Sequence, residues 1–207
     1  MVFSANRKQP CGLSRRRAVA ILLLWALLPG GLAGQTNTAS EYEVKAAMLY
    51  NLTRFVEWPP GAFPDGRAPT LLCILGRDPF GDSLTSLASR QTPGARPVEI
   101  RRLRSEAELH VCQVLYISSS EKKSVDHIFL ALRSSSTLTV GEMAQFAARG
   151  GMVQFSLEEK QVRFEVNLDA ASRADLRISS RLLVLAKVIR NQAGNPPREV
   201  SGASPHP

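Results

Sequence analysis

From residue 44 onward the apolar positions recur at three- and four-residue spacing, through Val44, Ala47, Met48, Leu52 and Phe55. Glu43, Lys45, Arg54 and Glu57 fall elsewhere on the same wheel, which predicts an amphipathic helix with these four on its polar side. Ser40 and Glu43 match the Ser-x-x-Glu capping box, whose side chains satisfy orphan backbone donors at a helix start. Residues 35–39 then read as a mobile polar lead-in. Trp58-Pro59-Pro60-Gly61 stops the helix, because proline cannot continue it and restricts the residue before it.

Beyond residue 70 the period changes. Leu71-Leu72-Cys73-Ile74-Leu75 is a continuous apolar run, as expected of a strand buried on both faces, and residues 111–117 form another. Between them, residues 81–90 with Leu84 and Leu87 predict a helix, and residues 96–103 alternate like a strand. A helix over 120–132 follows, then a brief strand at Leu138-Thr139-Val140 and a short helix over 142–149 closed by Gly150-Gly151. Residues 152–157 and 161–168 alternate around Glu158-Glu159-Lys160 and predict a β-hairpin. Residues 170–189, with Leu176, Leu183, Leu185 and Val188, predict a last helix. Residues 191–207 lack apolar periodicity and read as a disordered tail. The sum is a single α/β domain over 41–190: a mainly parallel sheet flanked by helices on both faces, with an antiparallel hairpin near the C-terminal end.

The first 34 residues follow a different logic. Arg15-Arg16-Arg17 precedes an unbroken apolar run over 18–28, and Pro29-Gly30-Gly31 and the small residues Ala33 and Gly34 follow. Basic flank, short apolar run and small-residue exit predict a secretory signal peptide over 1–34, the run covering only about half of a ~30 Å hydrocarbon core. Ala18-Val19 stands where a twin-arginine signal has a bulky apolar pair, so ordinary Sec export is favoured. Gln35 rather than cysteine follows Gly34, which disfavours a lipid anchor.

Composition changes meaning once export is considered. The chain carries 26 Lys+Arg, 18 Asp+Glu and 3 cysteines, a net charge of +8 that raises nucleic acid or anionic membrane as partners. Cleavage after Gly34 removes five basic residues and no acidic one, leaving a net +3, and nucleic acid loses its support. Cys11 leaves too. Cys73 and Cys112 remain, free to pair if the fold brings their Cα atoms within about 7 Å, or to stay as two separate buried thiols.

Catalytic constellations are thin. His110, His127 and His206 show no metal-ligand spacing, and no nucleophile elbow is present. Gly76-Arg77-Asp78-Pro79-Phe80-Gly81 leaves a strand and opens a helix, where α/β folds bind phosphate, but lacks the residues of a dinucleotide fingerprint or a P-loop, so turn chemistry is the better reading. Arg101, Arg102 and Arg104, diluted by Glu106 and Glu108, read as a solvated strand edge. No catalytic, cofactor-binding or metal-binding residue is assigned.

The ordered blocks carry a resemblance. Residues 41–51 running on to Phe55-Val56-Glu57-Trp58-Pro59 resemble the opening of the YfiR/HmsC-like periplasmic family. Leu75-Gly76-Arg77-Asp78-Pro79-Phe80-Gly81, Leu138-Thr139-Val140-Gly141-Glu142, Gly150-Gly151-Met152-Val153-Gln154-Phe155, Val162-Arg163-Phe164-Glu165-Val166-Asn167 and Leu176-Arg177-Ile178-Ser179-Ser180-Arg181-Leu182-Leu183 follow in order, so the likeness spans 41–190. It implies a periplasmic α/β domain without catalytic residues that binds the periplasmic part of an inner-membrane diguanylate cyclase and holds it inactive. Release then raises cyclic di-GMP, exopolysaccharide and biofilm. An outer-membrane peptidoglycan-binding lipoprotein is the implied sequestering partner. The resemblance also implies a Cys73–Cys112 disulfide, and a second cysteine pair near the glycine turn that some relatives have and this chain lacks. A periplasmic small-ligand sensor using the strand end at 76–81, and an envelope-structural part, are the competing readings. Arg54, Glu57, Arg177 and Arg181 are candidate interface residues, and a homodimer stays open.

Overall fold

A computed structural model describes residues 36–90 and 94–190, with side chains from residue 41, so the expected signal peptide, Cys11 and the expected C-terminal tail lie outside the described residues. Helix α1 spans Thr36–Phe55 and runs directly into the two-residue strand β1, Val56–Glu57. Then come β2 (Thr70–Leu75), α2 (Asp82–Ser89), β3 (Val98–Leu103), a 3-10 turn (Glu106–Val111) and β4 (Val114–Ile117). A second 3-10 turn (Ser119–Glu121) leads to α3 (Val125–Ala131), β5 (Leu138–Gly141), β6 (Val153–Glu158) and β7 (Gln161–Asn167). The chain closes with α4 (Leu168–Arg173), β8 (Arg177–Ile178), α5 (Ser180–Leu183) and β9 (Lys187–Ile189).

Seven strands form one sheet in the order β3-β2-β4-β5-β6-β7-β9, and β1 and β8 pair separately as a two-stranded ribbon. β3, β2, β4, β5 and β6 are mutually parallel; β7 turns back antiparallel on β6, and β9 lies parallel to β7 at the edge. The expected α/β architecture is therefore the observed one. Strand alternation splits the interior into two cores. Leu72, Ile74, Val114 and Tyr116 face α1 and α2, through Ala46, Leu49, Leu52 and Leu84. Cys73, Leu75, Leu115 and Ile117 face Leu109 and α3, through Val125 and Ile128. Burial of both strand faces explains why β2 and β4 read as unbroken apolar runs.

Four local expectations are corrected. The helix begins at Thr36, so the lead-in is helical and Ser40 and Glu43 lie inside α1, not at its start; nothing between Thr36 and Ser40 breaks a helix, and propagation through it is favourable. Residues 142–149 form turns, with Gln145 at φ 62°, instead of a helix. The long helix expected over 170–189 is broken into α4, β8, α5 and β9: Asp175 reverses the chain at φ 56°, and Ser179 caps α5 by accepting from the Arg181 amide. Pairing of β8 with β1 and of β9 with β7 overrides the apparent helical spacing. Lys45, expected on the exposed side of α1, is buried.

Candidate functional site

In a doubly wound sheet the chain leaves two neighbouring strands in opposite directions at one place, and ligands gather outside the carboxyl ends there. Here that place lies between β2 and β4, since β2 leads to β3 on one side while β4 leads to β5 on the other. Gly76 follows β2 at φ 86°, and a Cβ there would stand 2.3 Å from Ser120 Oγ, so only glycine fits this turn. The Arg77 amide donates to Ser120 Oγ at 3.0 Å, and the Phe80 amide to Asp78 Oδ1 at 2.7 Å. Arg102 reaches over from β3, its Nε donating to Asp78 Oδ2 at 2.7 Å and its Nη2 to the Gly81 carbonyl at 3.1 Å. The Arg77 and Phe80 amides and the Arg102 guanidinium from β3 are thus engaged by the protein itself. The 76–81 segment is a self-satisfied turn.

α1 fills the rest of the crevice. Lys45, 4% exposed, donates to Glu41 one turn earlier and to Glu142 Oε2 at 2.7 Å, at the carboxyl end of β5. Tyr42 Oη donates to Glu142 Oε1 at 3.0 Å, and the Lys45 ammonium lies 4.8 Å from the Tyr42 ring centroid. Phe80 packs edge-on against Tyr42 and against Tyr116, with centroids 6.0 and 4.7 Å away. Desolvation acts to lower the Lys45 pKa, but hydrogen bonds to the Glu142 and Glu41 carboxylates outweigh it and hold the ammonium above the ordinary lysine value. Burial, and then the Glu142 charge, push Tyr42 and Tyr116 upward, so both phenols stay neutral. The buried Tyr116 hydroxyl lies near enough to Glu142 to feel its carboxylate, but makes no hydrogen bond of good geometry among the described residues. A buried cation between two carboxylates is a fastening rather than a reactive centre: it offers no neutral base and no nucleophile.

Of the interface candidates, the structure brings Glu57 and Arg177 together. They stand opposite one another in the β1–β8 ribbon, both exposed, and line a cleft of about 610 Å³ walled by Trp58, Pro59, Leu176 and Asp175. Trp58 Nε1 is buried there without an acceptor among the described residues. The ribbon is tied to the end of α1 by the Ser179 amide, which donates to the Phe55 carbonyl at 2.8 Å. Arg54 and Arg181 are exposed on α1 and α5 outside this lining. Sequence periodicity could not reveal the ribbon, since two-residue strands leave no alternation to read.

The remaining sequence-marked residues hold structural positions. Cys73 and Cys112 form a disulfide with Cα atoms 5.9 Å apart, bridging the middle of β2 to the entry of β4. Beside it Gln113 acts as a clasp: its Oε1 accepts from the Leu71 amide at 2.8 Å and its Nε2 donates to the Ala62 carbonyl at 2.9 Å. His127 Nδ1 lies 2.7 Å from Glu106 Oε2 on the surface, and His110 is exposed. Arg101 pairs with Glu99 along the edge strand β3. Among the described residues no group of three or more His, Cys, Asp or Glu side chains is arranged to hold a metal ion.

The sequence profile of the YfiR/HmsC-like family matches residues 42–187, from the second turn of the α1 surface to β9. The chain belongs to the YfiR/HmsC-like family. Members of this family are known for periplasmic regulation of diguanylate cyclases, and the family is generally non-catalytic. In this YfiR/HmsC-like chain, no helix among the described residues is long and apolar enough to cross a membrane. Two solved structures are similar at fold level only. A conserved domain protein of Vibrio cholerae O1 biovar El Tor is 11% identical, with a TM-score of 0.46 over 71% of this chain and 59% of its own length. An ABC domain of Streptococcus pneumoniae in complex with L-Trp is 10% identical, with a TM-score of 0.47 over 72% of this chain and 60% of its own. The chain thus spans about three fifths of the length of each.

Proposed function

We propose that this chain is a periplasmic repressor that binds the periplasmic part of an inner-membrane diguanylate cyclase and holds the enzyme inactive. The observation that carries this reading is the family match, which runs through every element of the sheet from α1 to β9. A repressor works by differential affinity: it must bind the inactive cyclase better than the active one, because equal affinity shifts nothing. The β1–β8 ribbon supplies a contact surface of suitable character, with exposed charge of both signs at Glu57 and Arg177 around an apolar wall and an orphaned Trp58 donor. An outer-membrane peptidoglycan-binding lipoprotein competing for the repressor would relieve the inhibition.

Deletion of the gene, followed by measurement of cyclic di-GMP and biofilm, tests the reading. Both are expected to rise, and to fall again on complementation with wild-type chain but not with Arg177→Glu. Unchanged cyclic di-GMP after deletion under several growth conditions would overturn it.

A further inference from the structure

α3, the 149–152 turn and α4 border another cleft, of about 750 Å³. That volume falls in the range of small-molecule sites. Its wall is apolar, built by Phe129, Leu132 and Met152, and Leu130 stands at the opening 56% exposed. Three arginines, Arg133, Arg149 and Arg173, line it against a single carboxylate, Asp126. Arg149 is committed to that carboxylate, donating from Nε at 3.2 Å and Nη2 at 2.8 Å. The guanidinium groups of Arg133 and Arg173 make no hydrogen bond or ion pair with any described residue.

Two unpaired guanidinium groups beside an apolar wall form an unusual lining. Arg133 and Arg173 border the cleft without a counter-charge of their own, and the partly exposed Phe129 and the exposed Leu130 supply apolar surface beside them. An oxyanion head on an apolar body supplies both missing partners at once. Planar guanidinium groups match carboxylate and phosphate oxygens in a forked geometry, while the aliphatic or aromatic body gains by leaving water. We propose that this cleft binds a small amphipathic anion, a carboxylate or phosphate carried on an aliphatic chain or aromatic ring. Its head meets Arg133 and Arg173 and its body lies against Phe129 and Leu132. A half-open cleft of this size suits such a molecule better than a folded partner, which needs a broader surface. Binding of this kind is independent of whether the chain represses a cyclase, so the two readings fail separately.

Isothermal titration of the purified, oxidised protein tests the proposal, with decanoate, decyl phosphate, decanol and inorganic phosphate as probes. Saturable one-to-one binding of decanoate or decyl phosphate is expected, with whichever is tighter identifying the head group. Decanol and inorganic phosphate, each lacking one half, should bind at least about tenfold more weakly. Arg133→Ala and Arg173→Ala should each weaken binding about five- to tenfold. Both positions are exposed, so these variants should fold; Arg101→Ala on the distant edge strand and Arg177→Ala in the ribbon cleft should bind as wild type. Decanol binding within about twofold of decanoate, or affinity unchanged in the Arg133→Ala/Arg173→Ala double variant, would overturn the proposal. So would affinity lost in Arg177→Ala, which would move the anion to the other cleft, or the absence of any saturable heat up to about 5 mM probe.

Discussion

Phe146 is held between two glycines, and a double-mutant cycle can read that constraint. A Cβ on Gly151 would stand 2.2 Å from Phe146 Cε1, and one on Gly141 would stand 2.6 Å from Cε2 on the ring's opposite edge. Retreat from one glycine therefore drives the ring toward the other, and Phe129 limits tilting, its centroid 5.2 Å away. Gly151→Ala must displace a ring that is 1% exposed by more than an ångström, to restore ordinary contact. Overpacking of this kind costs about 3 kcal/mol, the upper part of its usual range, because the site is closed on both sides. Phe146→Ala alone should cost about 4 kcal/mol through lost burial and a residual cavity. In the Phe146→Ala background the clash is gone, and Gly151, which is not in the left-handed region, then gains about 0.5 kcal/mol from the less flexible unfolded chain. The expected coupling is thus about 3.5 kcal/mol, with Gly151→Ala changing sign between backgrounds. Urea unfolding monitored by far-ultraviolet circular dichroism measures all four corners. A Gly151→Ala cost above about 2 kcal/mol that persists in Phe146→Ala, or one below about 1 kcal/mol in wild type, would refute the wedge.

Other perturbations separate the fastenings described above. Replacing Cys73 and Cys112 by Ala should lower stability by about 4 kcal/mol for a loop of 39 residues in the chain-entropy model, read as a urea midpoint shift of about 2 M; a shift under about 0.5 M would deny the bridge that role. Lys45 has a folded pKa above its unfolded value, so its contribution is fully present below about pH 10.5 and is lost as pH rises through the folded value. Wild type should accordingly lose stability above pH 10.5 relative to Lys45→Met, which should already be about 2 kcal/mol less stable at pH 7; parallel melting curves up to pH 11 would contradict this. Tyr116→Phe removes a hydroxyl that makes no hydrogen bond of good geometry and should stabilise by about 1 kcal/mol, whereas Tyr42→Phe breaks the bond to Glu142 and should destabilise by about as much. Equal signs for the two in thermal melts would show that the Tyr116 hydroxyl is paired. Gln113→Ala strips two part-buried backbone groups of their partner and should cost about 1–2 kcal/mol by chemical denaturation.

How far the sequence was legible follows from how local each signal was. β2 and β4 announce themselves because strands buried on both faces carry unbroken apolar runs. The β6–β7 hairpin was visible from alternation on either side of Glu158-Glu159-Lys160, and its two turn residues adopt positive φ, 49° at Glu159 and 64° at Lys160. The C-terminal segment misleads because Leu176, Leu183, Leu185 and Val188 approximate helical spacing, while the partners that impose strands on it, β1 and β7, lie far away in sequence. Site geometry was less legible still. Lys45 reads as one more charge on a polar helix face, and only the end of β5, 97 residues later, supplies the Glu142 that makes its burial tolerable. The Glu41–Lys45 spacing was the one available hint. The arginines of the α3–α4 cleft come from three separate elements with no common motif.

The position of the disulfide has a consequence for the order of folding. β2 and β4 are hydrogen-bonded neighbours, second and third from the β3 edge of the sheet, yet β3, α2 and a 3-10 turn lie between them in the chain. Their pairing is a non-local event, slow because a long segment must close before any contact rewards it. In an oxidised unfolded chain the bridge already holds Cys73 beside Cys112, so the β2–β4 register is found by local search and β3 needs only to add at the open edge. A reduced chain must find the same register by diffusion, with its most aggregation-prone apolar runs exposed meanwhile. The same bond therefore acts earlier as a guide: refolding of the oxidised chain should outpace that of the reduced one, and the timing of oxidation sets how long β2 and β4 stay unpaired.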